Sequence, residues 1–297
     1  MNRRSTLSHY ARRLLQAIKF SEKRILTALH QMNIHSFDAG DIIWDQGCNV
    51  QSWSFIITGH VAAVVLVDKG GPMPVQIYGP HAWFGEQSLL TGQPSDLRYT
   101  CLSSVDVISM SKRCLDEALL SEPEFLRFLV GLVSWRVQQQ MEMLTLMRLA
   151  YSPLRVLMAL AHFAEAQRFH AGPVFAAKCD PELDIPIVQG QLACLCGVSR
   201  TLLSECLQHL ARSGWVKLRY GVIELQMADT WRHFARRQRQ RQHIVMRPSI
   251  ADLLGELALA HQERVQNEPD GVDFFLSVPP RSRLGSAISG FTAVGAR

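Results

Sequence analysis

The sequence predicts an α+β chain: an antiparallel β-roll of jelly-roll type, then a long dimerisation helix, then a C-terminal winged helix-turn-helix. Three observations carry that prediction. Short apolar runs separated by turn residues fill Phe37 to Met110, and a helical pattern runs unbroken from Pro123 to about Ala150. Residues 186–225 read PIVQGQLACLCGVSRTLLSECLQHLARSGWVKLRYGVIEL, two short amphipathic helices joined at a glycine and followed by a strand pair. The resulting divisions are 1–121 for the roll with its N-terminal helices, 122–151 for the long helix, 152–231 for the head, and 232–297 for a basic segment, a further helix and a tail.

Residues 7–31 form a helical lid, with Leu14, Leu15, Ile18, Ile25, Leu26 and Leu29 apolar among Arg12, Arg13, Lys19, Lys23 and Arg24. The β-type runs that follow are Ile42-Ile43-Trp44, Trp53 to Ile57, Val61 to Val67, Val75 to Tyr78 and Cys101 to Met110. Turns fall at Ala39-Gly40-Asp41, Gln46-Gly47, Thr58-Gly59, Lys69-Gly70-Gly71-Pro72 and Gly79-Pro80. Many short strands at such spacing make a roll or barrel.

In the long helix Leu126, Val130, Val133, Val137, Leu144 and Met147 follow steps of four and three, a coiled-coil seam with Gln140 as its polar position. Phe125, Phe128, Leu129 and Leu132 widen the apolar surface toward a second neighbour. One face would pack on the roll and the other on a second copy, giving a symmetric dimer; a helix wholly internal to a monomer is the alternative. Ser152-Pro153 starts the next helix, with Leu154, Val156, Leu157, Leu160 and Phe163 as its apolar positions.

In the head, Leu192 and Ala193 give the first helix its apolar face, Gly197 the turn, and Ser199 the cap of a helix starting at Arg200. Leu203, Leu207 and Leu210 face inward, while Arg200, Thr201, Ser204, Glu205 and Gln208 face outward as hydrogen-bonding groups suited to base edges and phosphates. Gly214 ends that helix, and Trp215 to Leu218 and Val222 to Leu225 flank Arg219-Tyr220-Gly221 as the wing. Ser199, Arg200, Thr201, Ser204, Glu205, Gln208 and Arg219 form the expected DNA-binding set. Beyond Trp231, Arg232, His233, Arg236, Arg237, Arg239 and Arg241 are expected to line a solvated helix face, a phosphate-contacting extension being the alternative. Pro248 to Val265 suits another amphipathic helix, and the Gly-, Ser- and Pro-rich residues after about 268 are expected to be disordered.

Bulk properties fit this plan. The 297 residues allow two domains, and 47% hydrophobic with 19% charged content is that of a globular protein. A net charge of +5 is compatible with nucleic acid but too small for a purely electrostatic binder. The longest apolar run, Val61 to Val67, is too short to cross a bilayer, and no signal-peptide core follows the N-terminus; a cytoplasmic protein without membrane contact is expected. Cys48, Cys101, Cys114, Cys179, Cys194, Cys196 and Cys206 lack paired spacing, so they are read as core fillers rather than disulfide or metal ligands. No phosphate loop, nucleophile elbow or metal spacing supports an enzyme, so no catalytic residue is expected.

Roll, long helix and winged head in that order resemble the Crp/Fnr family of bacterial transcription regulators over roughly residues 20–231. The matching motifs are Ala39-Gly40-Asp41-Ile42-Ile43, Gln46-Gly47, Phe55-Ile56-Ile57-Thr58-Gly59 and Phe84-Gly85-Glu86 through Leu89-Leu90-Thr91-Gly92-Gln93-Pro94. The resemblance implies a homodimer on a pseudo-palindromic duplex site, half-sites about one helical turn apart, and an effector-responsive roll. It also implies an RNA polymerase contact where the output is activation.

In cyclic-nucleotide-binding members of that family, a Phe-Gly-Glu segment opens a short helix that holds the phosphate and offers its glutamate to the ribose, and an Arg-Ser pair after Gly-x-Pro neutralises the phosphate. Gly85, Glu86 and Gln87 keep the first part, but Ser95 and Asp96 occupy the Arg-Ser positions. Arg98, three residues past Ser95, points to the other face of a strand. These six residues form a degenerate effector pocket; cyclic AMP or GMP is not the expected cofactor, and the effector stays unassigned. The family's iron–sulfur branch uses N-terminal cysteines, whereas the first here is Cys48, and His60 and His81, in or near roll turns, are read as solvated rather than haem ligands. The head departs as well: where members often carry Arg-Glu-x-x-x-Arg, this chain has Arg200, Thr201 and Glu205, so its half-site should differ. A competing reading is a ligand-binding or protein-interaction module whose head has lost specific DNA recognition; a regulatory subunit of an enzyme would need a further domain.

Overall fold

In the computed structural model, described over residues 3–67, 71–149, 151–175, 181–241 and 248–266, helices α1 (Arg3–Ala17) and α2 (Glu22–Leu29) precede eight strands. These are β1 (Met32–Phe37), β2 (Ile42–Trp44), β3 (Ser52–Thr58), β4 (Val61–Val67), β5 (Gly71–Tyr78), β6 (Trp83–Phe84), β7 (Arg98–Cys101) and β8 (Val105–Ser111), with α3 (Glu86–Thr91) after β6. They pair into two four-stranded sheets, β1-β8-β3-β6 and β2-β7-β4-β5, the predicted roll. Its core is aromatic: Trp53 stacks on Trp83 at 3.8 Å between centroids, and Trp44, Phe84 and Tyr99 cluster within 5.0–5.5 Å of one another.

Three local features refine the prediction. The expected helical lid 7–31 resolves into α1 and α2, because Lys19 turns the chain at φ +68° and Ser21 caps a new start, its hydroxyl accepting from the Arg24 amide. The run Cys101 to Met110 spans two strands, with a bend at Leu102-Ser103 between them. A Cβ on Gly59 (φ +84°) would lie 2.2 Å from the Ser104 carbonyl oxygen, so only glycine allows these two turns to pack together. β1 escapes the periodicity because it is an edge strand with a solvated face; Asn33 to Ser36 are exposed along it.

α4 (Lys112–Ser121) leads into α5 (Pro123–Leu149), the predicted long helix, and α6 (Ser152–Phe175) follows. Phe125, Leu129 and Leu132 of α5 are at most 2% exposed and belong to the core that α1, α2 and α4 share with the roll. Leu154, Val156, Leu157 and Leu160 of α6 floor a second core. That core holds β9 (Leu183–Ile185), α7 (Gln189–Cys196), α8 (Arg200–Arg212), β10 (Val216–Arg219), β11 (Val222–Leu225), α9 (Ala228–Gln240) and α10 (Ile250–Gln266). Cys101, Cys114, Cys196 and Cys206 are buried fillers and Cys48 and Cys194 half-buried. Cys179, the Lys69-Gly70 turn and the expected disordered tail lie outside the described residues.

Candidate nucleic-acid interface and sensor pocket

α7 and α8 meet at Gly197, whose φ of +61° makes the sharp turn. Ser199 caps α8, its hydroxyl accepting from the Leu202 amide at 3.2 Å, so this member of the predicted set is occupied in holding the helix start. Leu203, Cys206, Leu207 and Leu210 are buried, which turns Arg200, Thr201, Glu205 and Gln208 outward as a solvent-facing row, with Ser204 half-buried beside them. His209 and Arg212 extend the row with the basic charge suited to a helix C-terminus. Gly190, not singled out in the sequence, lies under the Arg200 guanidinium: a Cβ there would come within 3.1 Å of it. The wing is three-stranded, because β9 adds to the predicted hairpin, in the order β10-β11-β9.

Charge on the wing and beyond is arranged otherwise than predicted. Arg219 pairs with Asp184 of β9 and with Glu224 at 2.9 Å, and Lys217 bonds Glu224 at 3.0 Å, so the wing cations are neutralised within the sheet. Tyr220, in the turn between β10 and β11, is fully exposed. The arginine run is not a solvated face either. Arg232 is buried, donating to the Ala164 carbonyl at 2.8 Å, while Arg237, Arg239 and Arg241 pair with Glu263, Glu165 and Glu256. Periodicity could not find this, since the acidic partners come from α6 and α10, far apart in sequence.

In the roll, Gly85 (φ +94°) and Glu86 open α3 as the motif requires. The Trp44 ring packs against Gly85: a Cβ there would meet it at 2.7 Å. Glu86, 6% exposed, is ion-paired to Arg136 of α5 and accepts from Trp53 Nε1 at 3.3 Å. Arg136 also donates to the Trp83 carbonyl and lies 5.3 Å from the Tyr78 ring centroid; burial pulls its pKa down from the guanidinium range, which the nearby Tyr78 hydroxyl opposes. Ser95 is buried in its own turn, its hydroxyl donating to Leu97 at 2.7 Å, while Gln87 and Asp96 are exposed. Arg98 is held by Asp45 through two bonds, at 2.8 and 3.1 Å. Among the described residues, those present do not fit a cyclic nucleotide: the ribose glutamate is engaged by Arg136, and Ser95 and Asp96 stand in the Arg-Ser positions. Arg136 was missed in the sequence; its signal was a lone arginine between seam positions on the roll-facing side of a long helix.

Residues 34–122 match the family model of the cyclic nucleotide-binding domain. The CRP-like cAMP-activated global transcriptional regulator of Mycobacterium tuberculosis is 26% identical over 188 residues, 63% of this chain and 81% of that protein. Over that length the chain is similar to CRP-like transcriptional regulators. Solved structures agree on the fold. FixK2 from Bradyrhizobium japonicum superposes with a TM-score of 0.54 at 15% identity, covering 67% of this chain and 95% of that one. The c-di-GMP responsive global regulator CLP from Xanthomonas campestris gives 0.50 at 14%, covering 69% and 99%.

Two further features of the chain bear on how roll, rod and head communicate. Along α5, Leu126, Val130, Val137, Leu144 and Met147 are 42–56% exposed, an apolar stripe that the chain leaves open, with Val133 half-buried on it. Gln140, exposed on the same stripe, donates to Gln76 of β5 at 3.2 Å. The head also leans on the roll: Met73 of β5 touches Cys194 of α7 at 3.4 Å, and His60, read from the sequence as solvated, is half-buried against Asp184. Burial there pushes the His60 pKa down to about 4, with Asp184 opposing it. Among the described residues no helix is long and apolar enough to cross a membrane, and no group of His, Cys, Asp or Glu is set to hold a metal ion.

Proposed function

We propose that this chain is a homodimeric, sequence-specific DNA-binding regulator rather than an enzyme. The observation that carries the reading is the solvent-facing row Arg200, Thr201, Glu205 and Gln208 on a capped helix whose other face is buried, beside a wing. Arg200 would take a guanine or a phosphate, Thr201 a thymine methyl, and Glu205 a cytosine amino group. The open apolar stripe on α5 supports pairing of two rods, so that the two heads face inverted half-sites about 34–36 Å apart. The engagement of Glu86 by Arg136, with Ser95 and Asp96 in the Arg-Ser positions, supports an effector other than cyclic AMP or cyclic GMP.

Selecting bound sequences from a random duplex pool tests this: enrichment of an inverted repeat supports it, and recovery of unenriched DNA refutes it. The neutralised wing favours a second reading, a protein-interaction module with a degenerate head, which predicts the latter result. Calorimetry with cyclic AMP and cyclic GMP tests the pocket, tight binding of either refuting the effector assignment.

A further inference from the structure

The chain does not end with the wing. The superposed regulators fit 95% and 99% of their own lengths into 67% and 69% of this one, so it carries length that those folds do not use. α9 and α10 follow the wing, and their apolar faces, through Trp231, Phe234, Leu253 and Leu257, complete the head core. The polar side of α9 reaches elsewhere. Arg239 Nε donates to both carboxylate oxygens of Glu142 on α5, at 3.0 and 2.9 Å, and its two terminal nitrogens grip both oxygens of Glu165 on α6. Glu142 is bonded in addition to His162 of α6 at 2.9 Å. Arg232 anchors the same helix to α6 through the Ala164 carbonyl at 2.8 Å and Gln167 at 3.0 Å.

Glu142 lies before the α5–α6 junction and Arg239 after the head, so a single guanidinium ties the rod to the far side of the reading domain. The side chains of this knot are between 13% and 27% exposed, which keeps water from competing freely for the carboxylates. A second contact lies close by: a Cβ on Gly197, in the turn between α7 and α8, would meet the Met147 side chain of α5 at 3.1 Å and Arg155 of α6 at 3.3 Å. α10 supports the arrangement from behind, engaging Arg237 and Arg241 through Glu256 and Arg237 also through Glu263.

We propose that Glu142, Arg239 and Glu165 are positioning residues, and that α9 with α10 forms a splint across the α5–α6 junction that fixes the angle between rod and reading head without a small-molecule effector. The consequence for DNA rests on the regulator reading; the mechanical part concerns only α5, α6 and α9. The splint sets that angle through side chains of the chain itself. A rigid pair of heads must then be intolerant of half-site spacing, because each inserted base pair moves a half-site by about 3.4 Å along the duplex.

The test uses the full chain and the variants Glu142→Gln, Arg239→Gln and the conservative Glu142→Asp, with two readouts. In hydrogen exchange, the first two variants should speed exchange at the end of α5, the start of α6 and along α9 by about tenfold or more, with Glu142→Asp close to wild type. In binding to the selected inverted repeat and to versions with one or two added base pairs, wild type should discriminate strongly. The Gln variants should lose that discrimination while keeping their affinity for an isolated half-site. Unchanged exchange at the junction in both Gln variants would overturn the splint, as would unchanged spacing discrimination. If wild type prefers no DNA sequence, the regulator reading falls, and the exchange measurement still decides the splint.

Discussion

Replacing Val130 and Val137 together by alanine should weaken self-association without unfolding the chain. Both side chains sit on the open stripe of α5, 55% and 56% exposed in a single chain, so slightly over half of each remains to be covered by a partner. Val→Ala removes two methylene equivalents at about 0.8 kcal/mol each on full burial, hence about 0.9 kcal/mol per site here. Two sites in each of two symmetry-related chains give roughly 3.5 kcal/mol per dimer, since residues two turns apart act nearly independently. The dimer dissociation constant should rise roughly 400-fold, read by sedimentation equilibrium across a concentration series. Leu129→Ala is the control, because Leu129 is 2% exposed inside the roll core. It should cost about 2–5 kcal/mol of folding stability and leave the dimer constant alone. A dissociation constant for the double variant within about threefold of wild type would refute the seam, since it would mean that the stripe stays in water.

Glu86→Gln leaves the Arg136 guanidinium buried without its carboxylate and should lower unfolding stability by about 3 kcal/mol in a denaturant titration, while Glu86→Leu with Arg136→Met should recover much of that loss. The His60 pKa, about 4, lies below its ordinary value near 6.5, so the unfolded chain binds more protons between the two. Its contribution is therefore complete above about pH 6.5 and lost as pH falls toward 4; His60→Gln should flatten the stability profile in that window relative to wild type, and parallel profiles would contradict the assignment. Arg200→Ala should cost about 1–3 kcal/mol of affinity for the selected site and relax preference at one base position, measured by fluorescence anisotropy; undiminished affinity removes Arg200 from the reading row.

The roll, the rod and the helix-turn-helix were legible because each is written in local pattern: turn residues between apolar runs, steps of four and three along α5, a glycine between two amphipathic helices, and a serine that caps α8. Ser199, Gly197 and the buried Leu203, Leu207 and Leu210 illustrate how far such patterns reach, because backbone capping and helical period depend on neighbours in sequence. What escaped depends on distant partners. Arg219 looks like a free phosphate contact until β9 brings Asp184 beside it, and Arg239 looks solvated until α5 and α6 present Glu142 and Glu165. His60 reads as a loop histidine because the surface that half-buries it belongs to another domain. The change of the pocket was half visible: Ser95 and Asp96 announced the lost phosphate partner, but nothing local to Glu86 showed that Arg136 of α5 engages it.

The central claim is that two rods pair and present two heads to one duplex. Mass measurement of the chain on the duplex it selects, by sedimentation velocity or light scattering, tests it most directly. Two chains per duplex bearing inverted half-sites, falling to separate single-chain complexes with Val130→Ala/Val137→Ala, is the predicted result. One wild-type chain per duplex at saturation, or the same two-chain complex with the seam variant, would contradict it.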